Sequence, residues 1–321
     1  MTPAEAHRHP SGPSNPRARV LVVGASGFLG RAVVRSLAEE GFEVHGLARD
    51  TAKGERVRES GGIPFVGDIL DPPSLRAAAK GCGAAIHLAA HPSRDEDEVR
   101  VRVEGTQRLL DAARSEGLTR VVIGSGYWVY PGQPGWITEE SPVDPRGEAQ
   151  ANFDAERVGL RANAPGTLDV LVLRPGMVYG DGSWFRSLAL SIRSGEYSVV
   201  GDGKNRWSFV ALPDTASAFA RVLASGVPGE IYNVVDGTPA PLREFADFVA
   251  VEIGATSPKS VPEAAAAREM DEVVAHHLAA DRPTSNQKLL GLGWRPRFST
   301  YREGVPGVLR EIFPRGTGRG R

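Results

Sequence analysis

Two patterns of apolar and polar residues alternate along the first part of the chain. Short apolar runs are separated by longer segments in which apolar residues recur at helical spacing. The apolar runs predict strands at residues 20–23, 42–48, 63–66, 84–90, 119–124 and 168–174. The longer segments predict helices at residues 31–41, 72–80, 98–116 and 149–162. This alternation predicts an α/β fold with a doubly wound parallel sheet.

The pattern loosens after residue 180. It predicts helices at residues 184–194, 214–224 and 242–253 and short strands near 197–200 and 230–235. We therefore expect a Rossmann domain over residues 18–180 and a smaller C-terminal substrate lobe over residues 181–313, partly interleaved with the sheet. Ligands commonly bind between such lobes.

The two ends of the chain differ in composition from the body. Residues 1–17 are rich in Pro, Ser and His and lack the apolar core of a signal peptide, so we expect a disordered leader. Residues 314–321, PRGTGRGR, predict a flexible tail.

A glycine-rich turn, GASGFLG, follows the first predicted strand and precedes a predicted helix. Gly24 allows a tight turn, Gly27 admits close backbone approach, and Gly30 lets helix and strand pack. Backbone amides at such a helix N-terminus face an anionic pyrophosphate. The turn therefore predicts a dinucleotide cofactor.

Other parts of the cofactor site are expected at the ends of the later strands, where a parallel sheet binds ligands. The segment after the third strand suits the adenine edge, and small residues around the fourth strand let a cofactor lie close. With the glycines, the residues expected to line the site are Ser26, Phe28, Leu29, Asp68, Ile69, Leu88, Ala89, Ala90, Pro175 and Val178.

The residue after the second predicted strand bears on the choice of cofactor. An acidic side chain there holds the ribose 2′-hydroxyl of NAD, whereas a nearby arginine accommodates the 2′-phosphate of NADP. Arg49 favours NADP, and the neighbouring Asp50 leaves NAD open.

Composition narrows the class of partner. The 321 residues carry a formal net charge of −1, so no overall field favours nucleic acid or a membrane surface. No run of residues has the length and apolarity of a membrane helix. Cys82 is the single cysteine and lies in a small apolar stretch, which predicts a packed thiol in a protein of the reducing cytoplasm. His87 lies in the same stretch and is expected to be packed as well.

The segment SGYWVYPG follows the fifth predicted strand. Ser125, Tyr127 and Tyr130 would therefore lie at the carboxyl edge of the sheet, where open parallel sheets perform chemistry. Aromatic residues at this position are equally explained by packing, so both readings stay open.

With these pieces placed, the chain resembles the extended short-chain dehydrogenase/reductase family. The motifs that carry the resemblance are GASGFLG, GDILD (67–71), HLAA (87–90), EGTQRLLDAA (104–113), LRPGMVYG (173–180), YNVVDG (232–237) and a late LGW. The resemblance implies a Rossmann fold, a nicotinamide cofactor, a small-molecule substrate and a homodimer.

The family's catalytic pattern is missing. Members use a Tyr-x-x-x-Lys pair with a Ser or Thr, in which the lysine lowers the tyrosine pKa. The helix expected to carry that pair, residues 149–162, contains neither residue type. Alignment with the family places Glu148 at the Tyr position and Asn152 at the Lys position. The serine position falls on Gly126, next to Ser125.

Three functions remain open on the sequence alone. The leading hypothesis is an NADP-dependent oxidoreductase of a small carbonyl or hydroxyl compound, such as a natural product, with Tyr127, Ser125 or Glu148 as the proton donor. A second is a redox-neutral isomerase, dehydratase, lyase or epimerase that uses Glu148 as base, since a carboxylate in an apolar cleft can serve as one. The third is a non-catalytic dinucleotide-binding protein.

The segment after GDG bears on the substrate class. Sugar-nucleotide epimerases that resemble this chain carry there an arginine for the diphosphate, whereas this chain has Trp207. Trp207, Trp184 and Phe185 would offer flat apolar surface to an uncharged or aromatic ligand, or they would pack in the core. Sugar nucleotides become less favoured as substrates.

Overall fold

The computed structural model describes residues 18–90 and 96–314. The predicted leader and all but the first residue of the predicted tail lie outside this part of the chain. The described strands are β1 (Arg19–Val23), β2 (Glu43–Ala48), β3 (Ile63–Val66), β4 (Ala84–His87), β5 (Arg120–Gly124), β6 (Asp169–Pro175), β7 (Met177–Tyr179), β8 (Ser198–Val200), β9 (Arg206–Trp207), β10 (Phe209–Ala211), β11 (Ile231–Val234), β12 (Ala240–Pro241) and β13 (Lys259–Val261).

Helices connect most of these strands. They are α1 (Phe28–Glu39), α2 (Thr51–Glu59), α3 (Pro72–Ala79), α4 (Glu96–Val99), α5 (Gly105–Glu116), α6 (Glu148–Ala162), α7 (Ser183–Ser194), α8 (Leu212–Ser225), α9 (Leu242–Glu252), α10 (Glu263–Glu269), α11 (Glu272–Ala279), α12 (Gln287–Gly291) and α13 (Tyr301–Ile312). A π-helical turn, Arg100–Glu104, joins α4 to α5.

Seven of the described strands form one parallel sheet in the order β11-β6-β5-β4-β1-β2-β3. The chain winds in one direction from β1 to β3 and in the other from β4 onward. The strand order therefore reverses between β1 and β4, and this is the point at which such sheets bind ligands. The predicted doubly wound Rossmann fold is confirmed.

Alternation along β1 shows why the sheet is covered on both faces. Val20 and Val22 pack on the side of α1 and α8, whereas Leu21 and Val23 pack on the side of α3 and α5. Because both faces are apolar, the strand reads as a continuous hydrophobic run.

The second half of the chain contributes both to the sheet and to a separate core. Helix α8 packs against α1, and β11 pairs with β6, so this stretch lies with the sheet. Three two-stranded sheets, β10-β7, β12-β9 and β13-β8, lie outside it in the described residues. Aromatic side chains from β9, β10, α7, α9 and α13 fill the core beside them.

Several predicted boundaries were wrong. The fourth strand ends at His87 rather than Ala90, because the chain leaves the sheet there and turns toward the glycine-rich segment. The predicted helix 98–116 is divided by the π-helical turn. Helix α2 was not predicted, since only Gly54 and Val57 of its nine residues are buried.

No helix within the described ranges 18–90 and 96–314 has the length and apolarity needed to cross a membrane.

Candidate active site

The glycine-rich turn lies at the sheet's reversal point and has no room for a side chain at Gly24 or Gly30. Gly24 has a φ of 84°, and a Cβ there would lie 2.6 Å from the Ala89 backbone nitrogen. A Cβ on Gly30 would lie 2.0 Å from the Gly24 carbonyl oxygen. Gly27 is the N-cap of α1. The backbone thus forms a cradle at a helix N-terminus that fits a pyrophosphate.

A cavity of about 610 Å³ opens beside this turn. It brings together most of the residues predicted for the cofactor, namely Gly24, Ser26, Gly27, Phe28, Leu29, Gly30, Arg49, Asp68, Ile69, Leu88, Ala89 and Ala90. Pro175 and Val178 lie on a neighbouring cavity. We call the first the dinucleotide cavity and its neighbour the second cavity.

Three cations line one end of the dinucleotide cavity: Arg49, Lys53 and Arg56. Their spacing of four and three residues places them on one side of the chain where α2 begins. Lys53 and Arg56 were not predicted, because helix α2, which carries them, was not predicted. The sequence signal that could have found them is the recurrence of cations at helical spacing after Arg49.

Asp50 is the acid that kept NAD possible as the cofactor, but its side chain is engaged at the start of α2. Its side chain caps α2 and accepts a hydrogen bond of 2.8 Å from the Lys53 backbone nitrogen. The other carboxylate oxygen lies 3.0 Å from the Lys53 ammonium group, and these contacts lower the pKa of Asp50. Asp50 is not among the described residues that line the cavity.

The second cavity, of about 440 Å³, contains every residue proposed for catalysis. It is lined by Phe28, Leu29, Ser125, Gly126, Tyr127, Trp128, Glu148, Ala149, Asn152, Pro175, Gly176, Met177, Val178, Ser183 and Trp184. Phe28 and Leu29 line both cavities, so the two adjoin. No lysine, arginine or histidine occurs among these described lining residues.

Ser125 is held by a buried ion pair that the sequence did not predict. Its hydroxyl donates to Oε1 of Glu156. The guanidinium group of Arg174 donates to the same carboxylate at 2.9 and 2.5 Å, and both residues are at most 2% exposed. The pair connects α6 to β6. The acid of AER and the arginine of LRPG were visible in the sequence, but nothing local indicated that they meet.

Tyr127 and Tyr130 lie in different surroundings. Tyr127 lines the second cavity and is 2% exposed, and burial raises its pKa to about 12, against the opposing influence of Arg282. Tyr130 lies outside both cavities, and its hydroxyl donates to Asn233 at 2.9 Å. Tyr130 therefore serves packing, whereas Tyr127 forms part of the wall of the second cavity.

Asn152 and Glu148 come from the first two turns of α6. The side-chain oxygen of Asn152 is buried and has no hydrogen-bond partner among the described residues. Glu148 is the first residue of the helix and is exposed at the cavity's edge. A buried, unpaired amide oxygen indicates a place for a hydrogen-bond donor from a ligand or water.

Of the three aromatic residues considered for the substrate, Trp184, Trp207 and Phe185, Trp184 alone is among the described residues that line the second cavity. Trp207 and Phe185 are buried in the core, where Trp207 packs between Trp184 and Phe209. The ligand-facing reading is therefore wrong for Trp207 and Phe185. Cys82 is buried as predicted.

The model of the NAD-dependent epimerase/dehydratase family matches residues 20–235. The chain belongs to this family. Within it, the chain is similar to a 3-diazoavenalumate denitrifying reductase from a Streptomyces species, with 30% identity over 307 residues that cover 89% of this chain and 99% of the relative.

Two further members of the family are informative. A 4-hydroxy-2-methyl-3-oxo-4-farnesyl-3,4-dihydroquinoline-1-oxide ketoreductase from Stigmatella aurantiaca is 30% identical over 237 residues, 71% of each chain. A double mutant of dTDP-glucose 4,6-dehydratase from Streptomyces venezuelae, solved with NAD bound, superposes with a TM-score of 0.77 at 26% identity, covering 91% of this chain and 96% of the other. Family membership thus supports a nicotinamide dinucleotide cofactor.

Proposed function

We propose that this protein is an NADP-dependent reductase of a small, planar organic compound. The observation that carries the proposal is the arrangement of the two cavities. One contains the glycine cradle and the three cations, the other contains the candidate catalytic groups, and Phe28 and Leu29 form a shared wall. A dinucleotide that runs through the first cavity reaches its reactive end at the second.

The residues present fit the cofactor. The backbone at Gly24, Gly27 and Gly30 would hold the pyrophosphate, and Arg49, Lys53 and Arg56 would hold the 2′-phosphate of NADP. When bound, the reduced nicotinamide supplies a hydride equivalent. The absence of Asp50 from the described lining supports NADP over NAD, because the Asp50 carboxylate caps α2 instead of lining the cavity beside the cations.

The second cavity supports a substrate without phosphate groups. Tyr127, Trp128, Trp184 and Phe28 offer it aromatic surface. A nucleotide sugar carries a diphosphate, and the described lining offers no cation to neutralise one. The two reductases reported above act on nitrogen-containing compounds, by their names, and we propose a nitrogen-containing planar substrate here too.

Binding of the two reduced cofactors tests the cofactor part of this function. Calorimetry should give a dissociation constant for NADPH at least about tenfold below that for NADH, because the three cations meet a phosphate that NADH lacks. Reduction of diazo and quinoline-type ketone compounds is then followed by loss of NADPH absorbance. Tight NADPH binding without turnover across such a panel would favour a non-catalytic binding protein.

A redox-neutral reaction is the second candidate. The observation that favours it is the place of Glu148 at the edge of the second cavity, where a carboxylate can accept a proton from a substrate. Product formation without net change in NADPH absorbance would support this candidate against the reductase.

Resemblance to the family also leads us to propose that the protein is a homodimer, and light scattering of the purified protein tests this by giving its mass. The composition leads us to propose a cytoplasmic location, which cell fractionation tests.

A further inference from the structure

Trp128, one of the residues that line the second cavity, is held in place by a second ring. Its indole stacks on the imidazole of His277, with ring centroids 4.6 Å apart and an angle of 15° between the planes. His277 therefore covers one face of the indole. The cavity is bordered by the part of the indole that His277 leaves uncovered.

Arg282 fixes the orientation of the imidazole. Its Nη2 atom donates to Nδ1 of His277 at 2.9 Å, and its Nη1 atom donates to the His277 carbonyl oxygen at the same distance. A guanidinium group can only donate, so Nδ1 is the acceptor and the proton of the neutral ring is on Nε2. Nε2 donates to the Arg146 carbonyl oxygen at 3.3 Å. Because both ring nitrogens are engaged, the ring cannot turn without losing a hydrogen bond.

Burial keeps His277 uncharged. The residue is 3% exposed, and burial, followed by the charge of Arg282, lowers the pKa of His277 to about 4. A neutral imidazole accepts a hydrogen bond from Arg282, whereas a protonated one would repel the guanidinium group. The stack of imidazole and indole is therefore the same throughout the neutral pH range.

Arg282 also holds the turn that carries Trp128. Its Nε atom donates to the Tyr130 carbonyl oxygen at 2.9 Å, and Tyr130 directly follows the 3₁₀-helical turn Tyr127–Val129. Arg282 is 1% exposed, so these hydrogen bonds are shielded from water. One buried guanidinium group thus connects the backbone of the turn to the imidazole that stacks on its tryptophan.

Helix α11, which carries His277, is anchored at both ends. Near its start, Val273 packs against Gly147, where an added Cβ would lie 2.9 Å from a Val273 methyl carbon. At its end, the side-chain nitrogen of Asn205 donates to the Leu278 carbonyl oxygen at 2.8 Å. Gly147 directly precedes α6, whose first two residues line the second cavity. The position of the imidazole is therefore set by contacts along the whole of α11.

Trp184 also lines the second cavity and is fixed in a different way. Its indole nitrogen donates to the Val178 carbonyl oxygen at 2.7 Å, and its ring packs edge-on against Phe185 and Trp207. Two tryptophans of the cavity wall are thus held in position before a ligand arrives. A preorganised wall binds a rigid ligand more tightly, because less conformational entropy is lost on binding.

We propose that His277 determines substrate specificity by holding Trp128 in position, and that the arrangement selects a substrate with a flat conjugated ring system. The proposal rests on the proposed reductase function and assigns a residue that sets its substrate preference. His277 is a positioning residue, since it is not among the described residues that line the cavity and acts through Trp128. A flat conjugated ring packs closely on the uncovered part of the indole, whereas a puckered saturated ring makes fewer contacts.

Two uncharged bicyclic alcohols test the preference without requiring turnover. Naphthol is flat and aromatic, decahydronaphthol is its saturated counterpart, and each is titrated by calorimetry into the NADPH complex. We expect naphthol to bind at least about fivefold more tightly. Equal affinities, or tighter binding of the saturated alcohol, would overturn the proposal.

Two variants of His277 separate stacking from hydrogen bonding. His277→Asn keeps an acceptor for Arg282 but removes the ring, so the preference for naphthol should fall by at least about threefold while NADPH affinity stays. His277→Phe keeps a ring against Trp128 but gives Arg282 no acceptor, so it should lower Tm and retain the preference.

His276→Asn is the matched control for both variants. The His276 side chain is 42% exposed and lies 3.7 Å from Glu263, so its replacement should change neither Tm nor the preference strongly. A folded His277→Asn protein with the parental preference would contradict the proposal. So would a folded His277→Phe protein that has lost it.

A double-mutant cycle separates action through Trp128 from a general loss of structure. Trp128→Leu should abolish the preference, and adding His277→Asn should leave the ratio of the two affinities as it is in Trp128→Leu, since the wall is already gone. Different ratios in these two proteins would show that His277 acts by another route, which would overturn the assignment. Failure of the parent protein to bind NADPH would instead refute the proposed reductase function itself.

Discussion

At the scale of single residues, the cations at one end of the dinucleotide cavity make the cofactor preference testable. Arg49, Lys53 and Arg56 line that end, whereas Arg58 of α2 does not line the cavity and pairs with Glu55. Arg49 and Arg58 therefore differ in their relation to the cavity, although both belong to the same charged segment.

Arg49→Ala should weaken NADPH binding by about tenfold or more, because a charge-assisted contact to the 2′-phosphate is lost. NADH binding should change by less than about twofold, since NADH has no such phosphate. Titration of both cofactors into the variant measures this. Arg58→Ala is the control and should leave both affinities intact, and equal losses for NADPH and NADH in Arg49→Ala would remove Arg49 from phosphate recognition.

Asp236 is a second residue with a measurable consequence, here for stability. It is 6% exposed, and Oδ1 accepts a hydrogen bond of 2.8 Å from the Thr238 backbone nitrogen. The other oxygen is buried without a partner among the described residues. Burial, together with Asp214 and Glu303, raises the pKa of Asp236 to about 8.

At a pH above the ordinary pKa of an aspartate, the unfolded chain has therefore released the Asp236 proton, whereas the folded protein still holds it. Stability from this proton is complete at low pH and is lost as the pH rises through about 8. Asp236→Asn mimics the protonated acid, so it should match the parent near pH 4 and be about 2 kcal/mol more stable near pH 9. Urea unfolding at both pH values measures the difference.

Asp111→Asn provides the control for that experiment. Asp111 is an exposed acid on α5, and its replacement should leave the pH dependence of stability as it is in the parent. An effect of Asp236→Asn that is the same at both pH values would show that its pKa is not the cause.

At the scale of elements, the contact between β1 and α1 depends on Gly30. A Cβ there would meet the Gly24 carbonyl oxygen at 2.0 Å and the Ala25 Cα at 2.9 Å, and both are backbone atoms that cannot rotate away. The turn that carries the cofactor cradle must therefore move if any side chain is added.

Gly30→Ala should destabilise the protein by about 1–3 kcal/mol through this overpacking. It should also weaken NADPH binding by more than about tenfold, because the amides of the cradle shift. Thermal unfolding and cofactor titration give the two values. Gly291→Ala, in a helix where a Cβ meets nothing within 4 Å, is the control and should affect neither strongly. Parental NADPH affinity in Gly30→Ala would contradict the cradle.

The same scale shows what the sequence could predict. Strands β1, β2, β5 and β6 were found because they are buried on both faces and read as apolar runs. Helix α2 was missed because it buries little, although it supplies two of the three cations. Local patterns report burial, so elements whose role is charge rather than packing escape them.

A second limit on what the sequence can predict is that local patterns do not show which distant residues contact each other. Glycine spacing located the cofactor cradle, since that chemistry is local to one turn. The contacts of Ser125 with Glu156, and of Glu156 with Arg174, join residues from different elements and have no local signature. Trp207 shows the converse, because a residue picked out by position proved to be core.

At the scale of the whole molecule, cofactor binding should stabilise the folded chain. The dinucleotide cavity contacts β1, α1, β2, α2 and the segments after β3 and β4, so a ligand there binds the folded state only. At a concentration of about 100 times its dissociation constant, NADPH should contribute about 2.7 kcal/mol and raise Tm by about 4 °C. Differential scanning calorimetry measures the shift, and an equal shift with NADH at the same concentration would contradict the NADP preference.

The shared wall between the two cavities has a consequence for the order of events in a turnover. Phe28 lines both cavities, and its ring packs against Gly182. A Cβ added to Gly182 would lie 2.9 Å from a carbon of the Phe28 ring. A ligand in the first cavity therefore shapes one side of the second. We expect compulsory-order kinetics, with the dinucleotide first to enter and last to leave, and product-inhibition patterns would report it: NADP⁺ should compete with NADPH, whereas the organic product should not.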